Sequence, residues 1–255
     1  MANLSVKAFL IEAGEIVRFA SRFFSALFKP KQEWKELLRQ SYFIGYKSLG
    51  LVGLTAFIMG LVLTIQSRPT LVEFGAEAWL PKMVSVSLIR EIVPVITALI
   101  CAGKIGSSIG AELGSMKVTE QIDAMEVSGT NPFKYLVVTR VLATSLMIPV
   151  LAVIAAAISL YGAYLGTNIK GVVSWQLYWT QVFDALTYSD AMPAFVKTYF
   201  FGFAIGIIGC YKGFNSSKGT EGVGQSANSA VVLSSLMVFV IDLIAVQLAD
   251  LMGLT

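Results

Sequence analysis

Four ionisable side chains lie inside long apolar stretches of this 255-residue sequence. They are Arg90, Glu91, Lys197 and Asp242. Hydrocarbon penalises such groups by about 2.5–3.5 kcal/mol each on insertion scales, so a charge at membrane depth indicates a functional site. The two cations could bind a phosphate group while apolar walls around them hold acyl chains. A second interpretation needs no ligand, because the four groups could form a neutral ion-pair network that fixes helix packing.

Residue types that are missing narrow the chemistry further. The sequence has no histidine, which excludes His-based catalytic triads, His metal ligands and the commonest general base. No GxxxxGK[ST] loop occurs, so we expect any ATP hydrolysis to take place in a partner chain. Cys101 and Cys210 stand in apolar runs without CxxC spacing and are interpreted as small core residues. We therefore predict no catalytic residue, no metal site and no cofactor in this chain.

Composition places these residues in a membrane protein. The sequence is 56% hydrophobic and 14% charged, against about 25% charged residues in soluble proteins, and its mean hydropathy is +0.73. Since a membrane helix needs about 20 apolar residues, the apolar runs predict an all-α integral membrane protein with about five transmembrane helices. The predicted spans cover about residues 44–65, 83–109, 133–166, 191–210 and 229–249. They form a predicted transmembrane domain over residues 41–255.

The first 40 residues form a separate amphipathic region in this interpretation. Four apolar residues recur there at helical spacing, and charged residues lie mostly on the other side. The apolar residues are Ile16, Phe19, Phe23 and Leu27. This pattern predicts a helix that lies in the membrane surface. We expect Lys29, Pro30 and Lys31 to turn the chain, and residues 32–40 to form a second amphipathic piece.

Lysine and arginine are distributed unevenly over the connections between spans. Eight lie within the first 48 residues, and three more lie in the stretches 111–132 and 211–224. The connections on the opposite side of the membrane contain only three. The positive-inside rule then places the N-terminus and both stretches in the cytoplasm, and five crossings place the C-terminus outside. At 1.5 Å per residue from the outer ends of their spans, all four charged side chains lie in one layer about 10 Å deep.

A polar stretch, AELGSMKVTEQIDAMEVSGTNP, interrupts the apolar runs at residues 111–132. Gly114 is predicted to end the preceding helix, and Thr119 to cap a short new helix. Glu120 and Asp123 then fall in the first turn, where the helix dipole favours negative charge. The stretch is therefore predicted to contain a short helix outside the bilayer.

This short helix has an apolar side and a defined end. Val118, Ile122 and Met125 recur at i, i+4 and i+7, so one side is apolar although it lies outside the bilayer. Gly129 offers a left-handed stop, and the Asn-Pro pair at 131–132 makes a cap and a first residue for the next span. Such an element is suited to dock on another protein. The alternative is a solvated loop with a few apolar residues tucked against the membrane.

Residues 88–143 resemble the signature region of a known family, and a set of matching positions carries the likeness. They are Glu112, Gly114, Met116, Val118, Thr119, Glu120, Gln121, Ile122, Asp123 and Ala124. A second segment, GTEGVGQSANSAVV at 219–232, shares it. The pattern resembles the MlaE (YrbE) family, the permease subunits of ABC transporters that move lipids together with MCE proteins. Val93, Lys104 and Thr139 depart from the pattern, where Gly, Arg and Pro are usual.

The resemblance implies a set of partners. A cytoplasmic ABC ATPase drives such a permease, and an MCE-domain protein exchanges phospholipid with it on the outer side of a bacterial inner membrane. Two copies are expected to enclose one transport path as a homodimer. Whether a small STAS-type regulatory subunit joins the ATPase stays open, and a net charge of +3 gives little support to any nucleic-acid partner. The residues expected to couple to the ATPase are Glu112, Met116, Val118, Thr119, Glu120, Gln121, Ile122, Asp123 and Met125.

The resemblance also places phospholipid beside the four charged side chains in the membrane, and two other functions remain as alternatives. A membrane enzyme acting on lipids needs a nucleophile, an acid and a base at bilayer depth, whereas the deep carboxylates Glu91 and Asp242 lie on separate spans. A scaffold that only anchors other subunits needs no pocket. Lipid retained in a defined pocket separates a transporter from a scaffold. The apolar walls of such a pocket are predicted, by depth, to include Leu63, Val86, Ile89, Val95, Leu99, Phe200 and Leu243.

Overall fold

A computed structural model describes the backbone of residues 2–28 and 33–253 and the side chains of residues 10–28 and 33–253. Every regular element in these ranges is a helix, as the apolar patterning predicts. The expected turn at Lys29, Pro30 and Lys31 lies outside the described residues, as does Gln32 at the start of the second amphipathic piece. Three helices are not long enough or apolar enough to count as spans. They are α1 (Ala2–Leu27), α4 (Gln121–Val127) and α6 (Trp175–Ala185).

Five helices in the described ranges are long and apolar enough to cross a membrane, which confirms the predicted number. They are α2 (Trp34–Glu73), α3 (Glu77–Val118), α5 (Phe133–Asn168), α7 (Tyr188–Phe214) and α8 (Thr220–Leu251). They extend beyond the predicted spans because polar residues at their ends continue the helix. The connections predicted at 66–82 and 211–224 are therefore shorter than expected. Only residues 74–76 lie between α2 and α3, and only residues 215–219 lie between α7 and α8.

The chain divides into two compact units, and each of the five long helices, α2, α3, α5, α7 and α8, contributes a segment to both. Unit 1 contains Met1–Ile44, Cys101–Leu146 and Gly202–Met237. Unit 2 contains Gly45–Ile100, Met147–Phe201 and Val238–Thr255.

Aromatic packing organises one side of unit 1. The ring of Phe19 lies 5.0 Å from Phe133, 5.7 Å from Tyr211 and 6.3 Å from Phe214, measured between centroids. Phe23 is 2% exposed. The apolar face of α1 is predicted to lie in the membrane surface. At Phe19 and Phe23, however, this face packs against the protein. Periodicity predicts that a face is buried, but it cannot tell burial in lipid from burial in protein.

Small residues bring the helices of unit 1 close together. A Cβ atom at Gly213 would lie 2.7 Å from Leu113 Cβ and 2.9 Å from the carbonyl oxygen of Gly110. Since real Cβ contacts are not that short, only glycine allows α7 to approach α3 here. This contact holds the end of α7 against the part of α3 that leads into α4.

Unit 2 uses the same device between α2 and α5. A Cβ atom at Gly60 would lie 1.9 Å from the carbonyl oxygen of Ser159, and one at Gly162 would lie 2.3 Å from that of Phe57. Gly60 and Gly162 therefore let α2 and α5 approach closely. Gly50, on the same helix as Gly60, has nothing within 4 Å of an added Cβ and makes no such contact.

The short helix α6 is fixed to unit 2 by its cap and by one tyrosine. The Ser174 hydroxyl accepts a hydrogen bond from Leu177 N at 3.3 Å, so Ser174 caps the start of α6. The Tyr178 hydroxyl donates to the carbonyl oxygen of Leu160 at 2.9 Å, and its side chain is fully buried. Burial raises the pKa of the Tyr178 phenol above its ordinary value, so the neutral form that donates this bond is favoured.

Candidate functional site

Three of the four predicted membrane charges meet in unit 2, and we call them the Lys197 cluster. The Lys197 ammonium donates to Glu91 Oε2 at 2.5 Å and to Asp242 Oδ1 at 2.8 Å. These residues come from α7, α3 and α8, so the equal depth counted from the sequence does bring them together. The Lys197 side chain is 4% exposed, whereas Glu91 is 39% and Asp242 20% exposed. A lysine enclosed between two carboxylates links three helices.

The fourth predicted charge, Arg90, lies beside this cluster with a partner that the sequence analysis missed. Its Nη1 atom is 3.7 Å from Asp190 Oδ1. Asp190 lies at the start of α7, where its Oδ2 accepts hydrogen bonds from Thr187 N at 3.1 Å and Thr187 Oγ1 at 2.6 Å. The spacing Thr-x-x-Asp is a capping-box pattern, and this signal could have located both the helix start and the carboxylate.

Two π-helical segments occur within α3, and the first presents the charged pair. Leu88–Ile92 contains both Arg90 and Glu91, and Ala102–Gly106 forms the second. A π segment widens the helix locally and shifts the register of the side chains that follow it. Because simple 3.6-residue spacing assumes a regular helix, the sequence analysis could not place these two side chains on a particular face.

Unit 2 contains an apolar cavity of about 310 Å³ next to the Lys197 cluster. Nine residues line it, and Lys197 is the only charged one among them. They are Met192, Pro193, Val196, Lys197, Phe200, Ala245, Leu248, Ala249 and Met252. A smaller cavity of about 20 Å³ lies beside Arg90 and Glu91 and shares Pro193, Lys197, Ala245 and Ala249 with the larger one. The charged and apolar surfaces thus adjoin.

The walls predicted by depth agree with this geometry only in part. Phe200 lines the larger cavity, and Ile89 lines a third cavity of about 70 Å³ in the same unit. The remaining candidates line none of these three cavities. They are Leu63, Val86, Val95, Leu99 and Leu243. Depth alone does not decide which side of a helix faces a cavity.

The polar stretch at 111–132 folds as a short helix, but it starts later than predicted. Gly114 lies buried inside α3, which continues to Val118, and Thr119 is the C-cap of that helix. Glu120 has a left-handed backbone with φ of 59°, and α4 follows it from Gln121. The correct start could not be read from the sequence, because a left-handed glutamate is uncommon.

The end of α4 follows the prediction. Gly129 has a φ of +80° and donates to the carbonyl oxygen of Glu126 at 3.0 Å. Asn131 Oδ1 accepts a hydrogen bond from Lys134 N at 3.1 Å, so it caps the start of α5. Asp123 lies in the first turn of α4 as expected, and its Oδ1 accepts from Lys117 Nζ at 2.9 Å.

Exposure along α4 differs from the predicted apolar docking stripe. Ile122 is 1% exposed and anchors α4 to unit 1, so its side chain is not part of the outer surface. Val118 and Met125 are half-buried, and Val127 is 91% exposed. The exposed predicted coupling residues are Glu112, Thr119, Glu120, Gln121 and Asp123, and Met116 is half-buried. The outer surface of this element is therefore mainly polar, with one prominent valine.

A buried arginine supports the stretch leading into α4, and the sequence analysis misplaced it. The predicted span 133–166 is longer than a bilayer requires, so the sequence predicts that its first turns, through Arg140, lie in water. The Arg140 side chain is instead only 2% exposed. Its Nη2 donates to Glu112 Oε1 at 2.8 Å, and its Nη1 donates to the carbonyl oxygen of Leu136 at 3.0 Å. Glu112, expected to couple to the ATPase, is thus tied to the start of α5.

One short segment matches an enzyme sequence motif but lacks the local structure that the motif requires. Residues 106–110, GSSIG, fit the GxSxG pattern of hydrolases. In those enzymes the serine stands on a sharp turn between a strand and a helix, with a histidine as base. Here the string lies inside α3, between its second π segment and the following α segment, and the sequence has no histidine. The match therefore carries no hydrolase chemistry.

Comparison with known proteins agrees with this architecture. A family model described as "Permease MlaE" matches residues 37–248. A probable ABC transporter permease protein of Rickettsia typhi is 39% identical over 251 residues, or 97% of each chain. A probable ABC transporter permease protein of Synechocystis sp. is 35% identical over 206 residues, covering 81% of this chain and 78% of that one. The intermembrane phospholipid transport system permease protein MlaE of Haemophilus influenzae is 35% identical over 210 residues, covering 82% and 80%.

The helices and their sites define an all-α membrane protein of the transporter permease class. The chain belongs to the MlaE permease family. It is therefore an ABC transporter permease, which works with a separate ATPase and is not itself an enzyme.

Proposed function

We propose that this permease moves phospholipid between the bacterial inner membrane and an MCE-domain partner. The observation that carries the proposal is that Lys197, the centre of the charged cluster, lies on the wall of an apolar cavity of about 310 Å³, while Arg90 and Glu91 line a smaller cavity that adjoins it. The relative from Haemophilus influenzae is a permease protein of an intermembrane phospholipid transport system, which supports the same substrate for this chain. A phospholipid has the two properties that such a site requires, a charged phosphate and apolar chains.

The geometry favours different roles for the two cations. Lys197 is enclosed and already donates to Glu91 and Asp242, so it has little capacity left for a phosphate. Arg90 has a side chain 32% exposed, and its 3.7 Å contact with Asp190 is too long for a good hydrogen bond. We therefore assign the phosphate to Arg90, and to Lys197 the task of holding α3, α7 and α8 around the acyl chain.

Filling the cavity tests the transport path. Ala245 lines both adjoining cavities, so Ala245→Trp is expected to occlude them and reduce the lipid that co-purifies with the assembled complex severalfold. Ala157→Trp is the matched control, because Ala157 is exposed and lines none of the three cavities. Mass spectrometry of retained phospholipid and a vesicle transport assay measure both effects. Equal lipid retention and transport in both variants would contradict the proposed path and favour a scaffold.

We assign the ATPase contact to α4 and the residues that precede it. The exposed residues Glu120, Gln121 and Asp123 offer a polar surface on this element, and Val127 adds an apolar one. Because Ile122 anchors α4 inside unit 1, a force on its outer face is carried into that unit. The pair between Arg140 and Glu112 gives a second connection, from α3 to α5.

Charge reversal tests this contact. Glu120→Lys places a cation where we expect basic groups of the ATPase, and should weaken ATPase co-purification by about tenfold. Glu73→Lys is the control, since Glu73 is an exposed acid at the end of α2 in unit 2. ATP turnover stimulated by the permease is measured in parallel. Unchanged association and turnover in Glu120→Lys would remove α4 as the docking element.

The assembly follows from the same assignments. We propose a homodimer, since α8 leaves large apolar side chains such as Val232 and Phe239 exposed within one chain, at 62% and 56%. The N-terminus and α4 lie in the cytoplasm with the ATPase, and the C-terminus lies in the periplasm with the MCE partner. A STAS-type subunit, where present, would join on the cytoplasmic side.

A further inference from the structure

Unit 1 contains a polar cavity of about 510 Å³ that the proposed transport path does not use. It is bordered by α1, the end of α7, the connection after it and the start of α8. Nine of its ten lining residues are polar or charged, in a chain that is 56% hydrophobic. The ten lining residues are Ile11, Glu12, Glu15, Tyr211, Lys212, Asn215, Ser217, Gln225, Ser226 and Ser229. Three of the lining residues belong to the segment 219–232, which also resembles the permease family and takes no part in the proposed transport path or ATPase contact.

The charged groups of this cavity leave an excess negative charge. Glu12 pairs with Lys212, and Glu15 Oε2 accepts a hydrogen bond from the Tyr211 hydroxyl at 2.5 Å. Two carboxylates face one lysine, so the lining carries a formal charge of −1. Glu12 Oε2 and Glu15 Oε1 accept no hydrogen bond from any side chain that the structure describes. A ligand with a positive charge would balance the excess negative charge, and its N–H groups could donate to the two carboxylate oxygens.

The hydroxyl of Ser226 opens onto this cavity. Ser226 is 9% exposed, and its side chain makes no hydrogen bond within the described part of the chain. Its Oγ atom is not among the buried atoms that lack a partner, so it remains accessible from the cavity. A hydroxyl on a largely buried residue normally has a hydrogen-bond partner. Ser226 lines the cavity, so a bound polar group could supply that partner.

We propose that this cavity binds the ethanolamine headgroup of a phospholipid from the leaflet on the N-terminal side of the membrane. A primary ammonium carries three N–H donors for the two free carboxylate oxygens, whereas a quaternary choline ammonium carries none. The serine hydroxyls can donate to the lipid phosphate. A lipid fits better than a soluble amine, because the rim of the cavity on α1 includes Ile11, 54% exposed, next to Leu10, 64% exposed. The assignment does not depend on the transport path through unit 2.

The test compares two lipids that differ only in the headgroup. Native mass spectrometry of the full chain, given equal amounts of phosphatidylethanolamine and phosphatidylcholine with identical acyl chains, should show about a tenfold preference for the first. Glu15→Gln keeps the side-chain size and should reduce this preference at least threefold, by about 0.65 kcal/mol. Asp184→Asn, which neutralises an exposed acid on α6 in unit 2, should leave it unchanged.

Further arms of the test separate this site from the other possibilities. The preference should persist in the Ala245→Trp background, where the unit 2 cavity is filled, and its loss there would overturn the proposal. Equal retention of both lipids, or an unchanged preference in Glu15→Gln, would also overturn it. Glycerophosphoethanolamine binding as tightly as the lipid would show a soluble ligand. Loss of ATPase co-purification in Glu15→Gln without a change in lipid preference would show a protein contact.

Discussion

The two units each contain one lysine with two carboxylates, and the two clusters differ in how completely the charges are paired. In unit 2, Lys197 donates to both Glu91 and Asp242, and its side chain is 4% exposed. In unit 1, Lys212 pairs with Glu12, its one ion-pair partner among the described side chains, and is 20% exposed, while Glu15 accepts its hydrogen bond from a tyrosine. One lysine and two carboxylates thus give a closed cluster in one place and an open one in the other.

This difference shows that composition alone does not assign a role to a charged cluster. The closed cluster uses two of the three N–H donors of its lysine, so its main physical effect is to hold three helices together. The open cluster has two carboxylate oxygens, Glu12 Oε2 and Glu15 Oε1, that accept no hydrogen bond from a described side chain, next to a cavity of about 510 Å³. Free acceptors and free space are the features that favour a ligand. Two substitutions test whether this distinction is real.

The largest effect is expected from Lys197→Met. It leaves two carboxylates facing each other in a poorly solvated place, and breaking a buried ion pair in this way costs about 3–5 kcal/mol. Thermal unfolding of the purified protein, followed by helical circular dichroism, measures the loss. The combined variant Lys197→Met, Glu91→Gln, Asp242→Asn should recover most of the stability, because no unpaired charge remains. Failure of the combined variant to recover stability would show that the lysine does more than neutralise its neighbours.

A smaller effect is expected from Lys212→Met. The pair that it breaks is partly solvated, and such pairs contribute about 1 kcal/mol or less. The same unfolding measurement should therefore give a shift well below that of Lys197→Met. Equal shifts in the two variants would mean that both clusters are structural, and the contrast between closed and open would be lost. Lys35→Met, at an exposed position near the start of α2, controls for the loss of a lysine.

Much of this architecture was accessible from the sequence. The number of spans follows from hydropathy, and the meeting of Lys197 with Glu91 and Asp242 follows from equal depth along helices of constant rise. The end of α4 was predictable because Gly129 and Asn131 have strong local preferences. These successes share a cause, since each depends on local chemistry or on distance along a single helix.

The failures depend on packing between elements. Hydrophobic spacing placed Ile122 on an apolar face, but only the folded unit shows that this face is buried in the same chain. Arg140 was expected in water because it precedes the apolar part of α5, yet Glu112 and Leu136 receive its hydrogen bonds. Asp190 was overlooked because the predicted span began at residue 191, whereas α7 begins at Tyr188 and contains Asp190 in its first turn. None of these contacts is encoded by periodicity.

The left-handed glutamate between α3 and α4 has a mechanical consequence. A residue with a Cβ atom pays roughly 1–3 kcal/mol for such a backbone, whereas glycine adopts it freely. Glycine would also adopt many other angles, and the joint would swivel. Glu120 allows few alternatives, so the elbow between the two helices is stiff. A force applied to α4, as at the proposed ATPase contact, would therefore be passed to the end of α3 instead of being absorbed at the bend.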